Sequence, residues 1–212
     1  MSKFSIGIML LVLVLSGGLF YIAKHRPEDA AHVLTLAVTP GDHATGTPTA
    51  RVTLLEYGDY QCPACAAYFP LVEQIRKDYA GKILFVFRNF PLTAIHSNAE
   101  IAALAAEAAG LQGKYFEMYA TLYPHQNDWS GSRNAKDIFM GYAESLGLDK
   151  TKFSNDLDSD SLKKKIEDDA NSGLAAGVQG TPTFFINGKS IQNPQSYDGF
   201  KKLIDDALAK NP

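Results

Sequence analysis

The stretch EYGDYQCPACAAYF, Glu56–Phe69, contains both cysteines of the chain, Cys62 and Cys65, separated by two residues. A C-x-x-C pair at the start of a helix places the first thiol among unpaired backbone N–H groups, at the positive end of the helix dipole. These groups favour the thiolate and lower the thiol pKa into a reactive range of about 3.5 to 7.5. The second thiol lies one helical turn along, within reach of a disulfide with the first. We therefore predict that Cys62 is the exposed attacking thiol and Cys65 the buried resolving thiol.

Three other interpretations of the two cysteines compete with this one. A zinc site would need a second pair of ligands, and the five histidines include no H-x3–5-H pair, with His96 and His125 isolated. A structural disulfide that closes so short a loop would stabilise the fold little. Two inert core cysteines would not need a strand–turn–helix setting. The redox interpretation is favoured, and it requires no bound metal or cofactor.

The elements around the motif follow the order βαβ, a block of helices, then ββα. Continuous apolar runs predict buried strands, and Asn-Gly between two apolar runs predicts a hairpin. Two β-containing pieces separated by a helical insert are expected to form one mixed sheet, because neither buries a core alone. The predicted elements, in a domain at 51–212, are strands at Val52–Tyr57 and Ile83–Phe90, a helical insert at about 97–176, a hairpin around Asn187-Gly188 and a final helix at about Tyr197–Leu208.

The segment before this domain has two parts. Residues 1–25 contain an uncharged run, Phe4–Ala23, that is long enough to span a bilayer as a helix. We expect a retained N-terminal transmembrane anchor; a cleaved signal sequence is the alternative, since Ser16-Gly17-Gly18 offers small residues to a peptidase. Residues 26–50 are expected to form a linker with an edge strand at Val33–Val38. The flanking basic residues do not decide the orientation of the anchor.

Composition excludes one class of partner. The net charge is -3, and 20% of the residues are charged. The chain therefore lacks the basic surface that nucleic-acid binding requires, and no nucleic-acid partner is expected.

Four longer motifs carry a family resemblance. GDYQCPACAAYFP, FRNFPL, QGKYFEMYATLY and GTPTFFINGK resemble the thioredoxin-fold DsbA family of disulfide oxidoreductases, in particular its membrane-anchored, BdbD-like branch. The resemblance covers about Val52–Leu208 and implies an α/β thioredoxin-like fold with a helical insertion. It also implies a thiol–disulfide oxidoreductase that faces the periplasm or cell exterior and acts on unfolded or partly folded cysteine-containing proteins. A quinone-linked membrane oxidase of DsbB or VKOR type would reoxidise it.

The resemblance assigns roles to three further residues. Pro182 matches the family's cis-proline, which lies beside the C-x-x-C, and X-Pro is the kind of bond for which cis costs little. Thr181, just before it, would offer its N–H to an extended substrate chain. A trans-proline at a strand start is the alternative. Glu56 matches the buried acid that transfers a proton to or from the resolving thiol; a surface carboxylate is the alternative.

One position departs from the family pattern. Between the thiols lie Pro63, which suits a first helical turn, and Ala64, where strongly oxidising members carry a histidine that stabilises the thiolate. Alanine removes a charge-bearing donor, so a milder oxidant is expected and the direction of electron flow stays open. A reductase or isomerase is one alternative function. A redox-inactive peptide- or metal-binding module is the other.

Overall fold

The computed structural model describes residues 38–210. The predicted anchor Phe4–Ala23, its signal-sequence alternative and all but the last residue of the predicted edge strand Val33–Val38 lie outside these residues. No helix within 38–210 is long and apolar enough to cross a membrane.

Within residues 38–210, five strands form one mixed sheet in the order β1-β3-β2-β4-β5. β2 and β3 run parallel, and the other neighbours are antiparallel. Every residue of β3 and all but one of β2 are buried, as expected for central strands covered on both faces. The strands are β1 His43–Gly46, β2 Val52–Gly58, β3 Ile83–Asn89, β4 Thr183–Ile186 and β5 Lys189–Ser190.

One helix, α1, makes the crossover between the parallel strands β2 and β3, and six more form an insertion between β3 and β4. The last helix, α8, closes the domain. The predicted thioredoxin-like α/β fold with a helical insertion is thus confirmed. The helices are α1 Pro63–Asp78, α2 Ala99–Gly110, α3 Tyr115–Leu122, α4 Gln126–Trp129, α5 Ala135–Ser145, α6 Lys150–Asp156, α7 Asp160–Ala175 and α8 Tyr197–Lys210.

The edge strand beside β3 is β1, which lies in the stretch predicted as a linker. Polar contacts hold it in place. Nε2 of His43 lies 2.7 Å from the Glu107 carboxylate, and the His43 ring stacks on Tyr115 with centroids 3.4 Å apart. Just before the strand, Asp42 accepts hydrogen bonds of 2.6 and 2.9 Å from Arg88. HATG has no apolar alternation, so the usual strand signal is absent here.

Hydrophobic side chains form one cluster on each side of the sheet. The larger cluster contains both cysteines, and the smaller one includes Tyr57 and Phe185. Because side chains alternate along a strand, Glu56 points to the same side as Leu54, into the larger cluster. The acid is therefore on the side of the sheet that holds the thiols.

Candidate dithiol active site

The two thiols lie at the start of α1, as the spacing predicts. Cys62 is the N-cap residue with extended backbone (φ -70°, ψ 121°), and Pro63 follows at the first helical position. Both cysteines are free thiols. The predicted order of exposure is correct, because Cys62 is 6% exposed and Cys65 is 0% exposed. The description of Cys62 as exposed was wrong in degree: its sulfur lies 3.4 Å from the Thr181 carbonyl oxygen, so the loop before β4 covers most of it.

The surroundings of Cys62 favour its thiolate. Its pKa is lowered from 9.0 to about 5, chiefly by a hydrogen bond with the Cys65 side chain. The Thr181 side chain and the backbone N–H groups of Cys65 and Ala64 lower this pKa further, whereas burial opposes them. The Thr181 hydroxyl is buried and has no hydrogen-bond partner within the described part of the chain, so it is available to the thiolate. The two backbone N–H groups are the donors expected at a helix N-terminus.

Cys65 has the opposite character. Burial raises its pKa well above 9.0, and its hydrogen bond with Cys62 and the charge of Glu56 raise the pKa further. At neutral pH the pair therefore consists of a thiolate at Cys62 and a thiol at Cys65. This asymmetry is the one that an attacking and a resolving thiol require.

Glu56 is buried, so the surface-carboxylate alternative is wrong. The residue is 1% exposed, and its Oε2 has no hydrogen-bond partner among residues 38–210. Burial raises its pKa from 4.5 to about 8, with Arg76 opposing this shift and Cys62 and Glu73 adding to it. The carboxyl group thus keeps its proton at neutral pH, close enough to Cys65 to influence its ionisation. Its role in proton transfer stays a prediction.

The loop before β4 brings Thr181 and Pro182 to the thiols. The Thr181-Pro182 peptide bond is cis, as the family resemblance implied, and the trans alternative is wrong. Pro182 is buried, Thr181 is partly exposed, and the Thr181 carbonyl oxygen lies 3.4 Å from the Cys62 sulfur, from which it accepts a hydrogen bond only while Cys62 is protonated. The binding of a substrate chain to Thr181 stays a prediction.

The residues between the thiols face solvent. Pro63 and Ala64 are both exposed on the first turn of α1. The backbone N–H of Ala64 lowers the pKa of Cys62, but its methyl group supplies no donor. Redox tuning by these two residues stays a prediction.

The turn that precedes Cys62 is held by Asp59, a residue that was not among the predicted site residues. The Asp59 carboxylate is fully buried and accepts hydrogen bonds from the backbone N–H of Gln61 (2.7 Å) and Leu92 (2.9 Å). Its Oδ2 also lies 2.7 Å from Nδ1 of His96, which the sequence analysis treated as isolated. The Asp59 carbonyl accepts the Cys62 N–H at 3.0 Å. An aspartate directly after a strand favours such a turn, and this signal could have identified it.

The helical insertion supplies two more anchors. The side chain of Gln61 accepts the backbone N–H of Asn98 at 2.6 Å. The side-chain amide of Gln126 donates to the carbonyl oxygens of Tyr60 (2.7 Å) and Cys62 (3.0 Å). No sequence signal connects Gln126 to the motif, because the two lie far apart in the chain. Among residues 38–210, no group of three or more His, Cys, Asp or Glu side chains is placed to hold a metal ion.

Comparisons with known proteins agree with this geometry. The sequence model of the family described as Thioredoxin matches residues 38–206. The Na(+)/H(+) antiporter NhaA 1 of Mycobacterium sp. (strain KMS) is 37% identical over 189 residues. That match covers 87% of this chain but 30% of the antiporter, so the chain spans under a third of this relative.

Two solved structures share the fold. Oxidised BdbD from Bacillus subtilis has a TM-score of 0.75 and 25% identity, covering 85% of this chain and all of BdbD (100%). The alpha-DsbA1 of Wolbachia pipientis has a TM-score of 0.74 and 22% identity, covering 83% of this chain and 95% of that protein. The chain belongs to the thioredoxin family and shares the fold of the disulfide oxidoreductase BdbD.

Proposed function

We propose that this protein is a dithiol oxidase that introduces disulfides into cysteine-containing proteins outside the cytoplasm. The observation that carries the proposal is the set of donors around Cys62, which lowers its pKa to about 5. Stabilising the thiolate stabilises the reduced enzyme, so the Cys62–Cys65 disulfide accepts electrons readily. An oxidant of substrate thiols needs this property.

The proposed reaction moves two electrons from substrate to enzyme. A substrate thiolate attacks Sγ of Cys62, the Cys62–Cys65 bond breaks, and the electron pair leaves on Cys65. Because Glu56 has a pKa of about 8 in the reduced enzyme, it holds a proton that it can donate to the departing Cys65 thiolate. A second substrate thiolate then attacks the substrate sulfur of the mixed disulfide. Cys62 leaves as a thiolate, and the substrate carries a new disulfide.

The surface around the thiols suits an unfolded polypeptide as substrate. The chain carries no charged residue at 60–71, around the thiols, or at 178–185, around the Thr181 that contacts Cys62. Pro63 and Ala64, between the thiols, are exposed. Exposed apolar side chains near a reactive group favour apolar segments that only an unfolded partner presents. The partly exposed Thr181 would bind such a segment in an extended conformation through its backbone.

The cellular setting is part of the same proposal. The uncharged run Phe4–Ala23 would anchor the domain to the membrane, facing the periplasm or cell exterior. A quinone-linked membrane oxidase of DsbB or VKOR type would return the reduced pair to a disulfide. This arrangement rests on the sequence and on the family resemblance.

A redox titration against glutathione tests the proposal. The Cys62 pKa of about 5 lies between the values of about 7 for thioredoxin and about 3.5 for DsbA. We therefore expect a reduction potential between about -270 mV and about -120 mV, the values for those two proteins. A potential at or below that of thioredoxin would contradict the oxidase and favour a reductase. A pair that shows no reversible two-electron step would instead indicate a redox-inactive module.

Substitution of Ala64 tests whether the missing side-chain donor at this position is the reason for the intermediate reduction potential. Ala64→His places a charge-bearing donor beside the Cys62 thiolate, where the native methyl group supplies none. We expect the equilibrium with glutathione to shift roughly tenfold toward the reduced enzyme, which is about 30 mV for a two-electron couple. Ala80→His, at an exposed position just beyond the other end of α1, is the matched control and should leave the potential unchanged. An equal shift in both variants, or none in Ala64→His, would refute the explanation.

A further inference from the structure

We propose that Gln126, on the helical insertion, is a positioning residue for the attacking thiol of Cys62. The inference rests on the proposed function, because it assumes that Cys62 is the nucleophile. The inference gives the helical insertion a role in the chemistry. The insertion would fix the start of α1, whose backbone N–H groups donate to the Cys62 thiolate.

The contact is specific to the nucleophile. Gln126 begins α4, is 8% exposed, and donates through Nε2 to two carbonyl oxygens. One belongs to Tyr60 (2.7 Å) and the other to Cys62 (3.0 Å). The Cys62 carbonyl also accepts the Ala66 N–H at 3.1 Å, the hydrogen bond that opens α1. Gln126 therefore holds both the turn before Cys62 and the first carbonyl of the helix.

The Tyr60 carbonyl belongs to the peptide group before Gln61, and the Cys62 carbonyl belongs to the peptide group after Cys62. Holding both carbonyls therefore restrains the backbone of Gln61 and Cys62 from either end. The Ala64 and Cys65 N–H groups that favour the Cys62 thiolate belong to the first turn of α1. Their direction toward the sulfur depends on the backbone angles at the N-cap residue, Cys62. If the N-cap residue can rotate, the hydrogen bonds to the thiolate lengthen and weaken. The Gln126 amide is thus expected to strengthen the hydrogen bonds from the Ala64 and Cys65 N–H groups to the Cys62 thiolate, although it does not contact the thiolate itself.

The short helix that carries Gln126 is anchored in the core by its last residue. Trp129, at the other end of α4, is fully buried, donates to the Leu122 carbonyl at 3.0 Å and packs on Phe139 with ring centroids 5.2 Å apart. Of the side chains in the described ranges, Gln126 is the one whose hydrogen bond reaches the Cys62 backbone. The other anchors of the turn, Asn98 and the Asp59 carboxylate, bond to Gln61.

The test replaces the amide without emptying its site. Gln126→Met keeps the volume and removes both donors, and Gln126→Asn keeps the amide but shortens its reach. The readouts are the ultraviolet titration of the Cys62 thiolate in the reduced protein and the equilibrium with glutathione. We expect the acid constant of Cys62 to fall roughly tenfold and the equilibrium to move toward the disulfide by a similar factor, about 30 mV.

The matched control is Gln112→Met. Gln112 also lies in the insertion and also bridges backbone groups, accepting from the Asp149 N–H (2.9 Å) and donating to the Asp149 carbonyl (3.3 Å). It should leave both readouts unchanged. If folded Gln126→Met titrates like the native protein, or if Gln112→Met shifts it equally, positioning by Gln126 is refuted. Gln126→Asn decides the question if Gln126→Met does not fold. A native protein without a low-pKa thiol would instead overturn the proposed function.

Discussion

Replacing Cys62 by serine is expected to reduce thiol–disulfide exchange to the uncatalysed background. The remaining Cys65 is fully buried and its pKa is raised well above 9.0, so it is neither accessible nor ionised at neutral pH. A hydroxyl at position 62 is not ionised at this pH and cannot take over the nucleophilic role. The measurement is the rate of oxidation of a dithiol peptide, with circular dichroism to confirm that the variant is folded.

Cys65→Ala is the complementary variant and should accumulate mixed disulfides. With glutathione disulfide or an oxidised peptide, the Cys62 thiolate attacks one sulfur and releases the other as a thiolate. No second thiol is then present to resolve the adduct. Mass spectrometry under non-reducing conditions should show the adduct on Cys65→Ala and none on Cys62→Ser. The reverse pattern would show that the attacking and resolving roles are exchanged.

The position and relative burial of the two cysteines could be predicted from sequence because they depend on local structure. C-x-x-C after a buried strand, with proline at the next position, specifies a helix start, and the helix start specifies which thiol is ionised. The hairpin was equally local: Asn187 and Gly188 both have positive φ (48° and 76°), as the Asn-Gly pair predicts. Strand β3 could be identified from its continuous apolar run, and the structure buries every one of its residues.

What the sequence did not reveal depends on contacts between distant segments. The family resemblance placed Pro182 beside the thiols, but not the Thr181 carbonyl that covers the Cys62 sulfur. The hydrogen bond from Gln126 to the Cys62 carbonyl was not predicted at all. Neither contact produces a periodic pattern in the sequence, because each depends on one polar atom that the tertiary fold brings to Cys62. Edge strand β1 was missed for a related reason: polar contacts of Asp42 and His43 hold it rather than an apolar face. The burial of Glu56 could be predicted, because its neighbours in the strand are apolar, but the lack of a hydrogen-bond partner for its Oε2 in the described chain could not.

The second large effect is expected at this acid: Glu56→Gln should stabilise the reduced protein, increasingly so as pH rises. In the unfolded chain the carboxyl group loses its proton near pH 4.5, whereas in the folded protein it keeps the proton until about pH 8. Below pH 4.5 the Glu56 carboxyl group is protonated in both the folded and the unfolded protein, so its ionisation does not lower the free energy of unfolding. Between these values the free energy of unfolding falls by about 1.4 kcal/mol per pH unit, to a limit of about 5 kcal/mol. Glutamine does not titrate and avoids this loss.

Urea unfolding of both proteins at pH 5 and pH 8.5, under reductant, measures the effect. Reductant is needed because the Cys62 thiolate contributes to the raised pKa of Glu56. The low pKa of Cys62 makes the reduced protein more stable as pH rises from about 5 toward 9, but this contribution is present in both proteins and largely cancels in their difference. Glu117→Gln is the control, since Lys114 lowers the pKa of this exposed acid and its loss should slightly destabilise the protein at high pH. If Glu56→Gln and the native protein keep a constant difference in unfolding free energy from pH 5 to 8.5, Glu56 does not hold its proton at neutral pH. It could then not protonate the Cys65 thiolate when the disulfide opens.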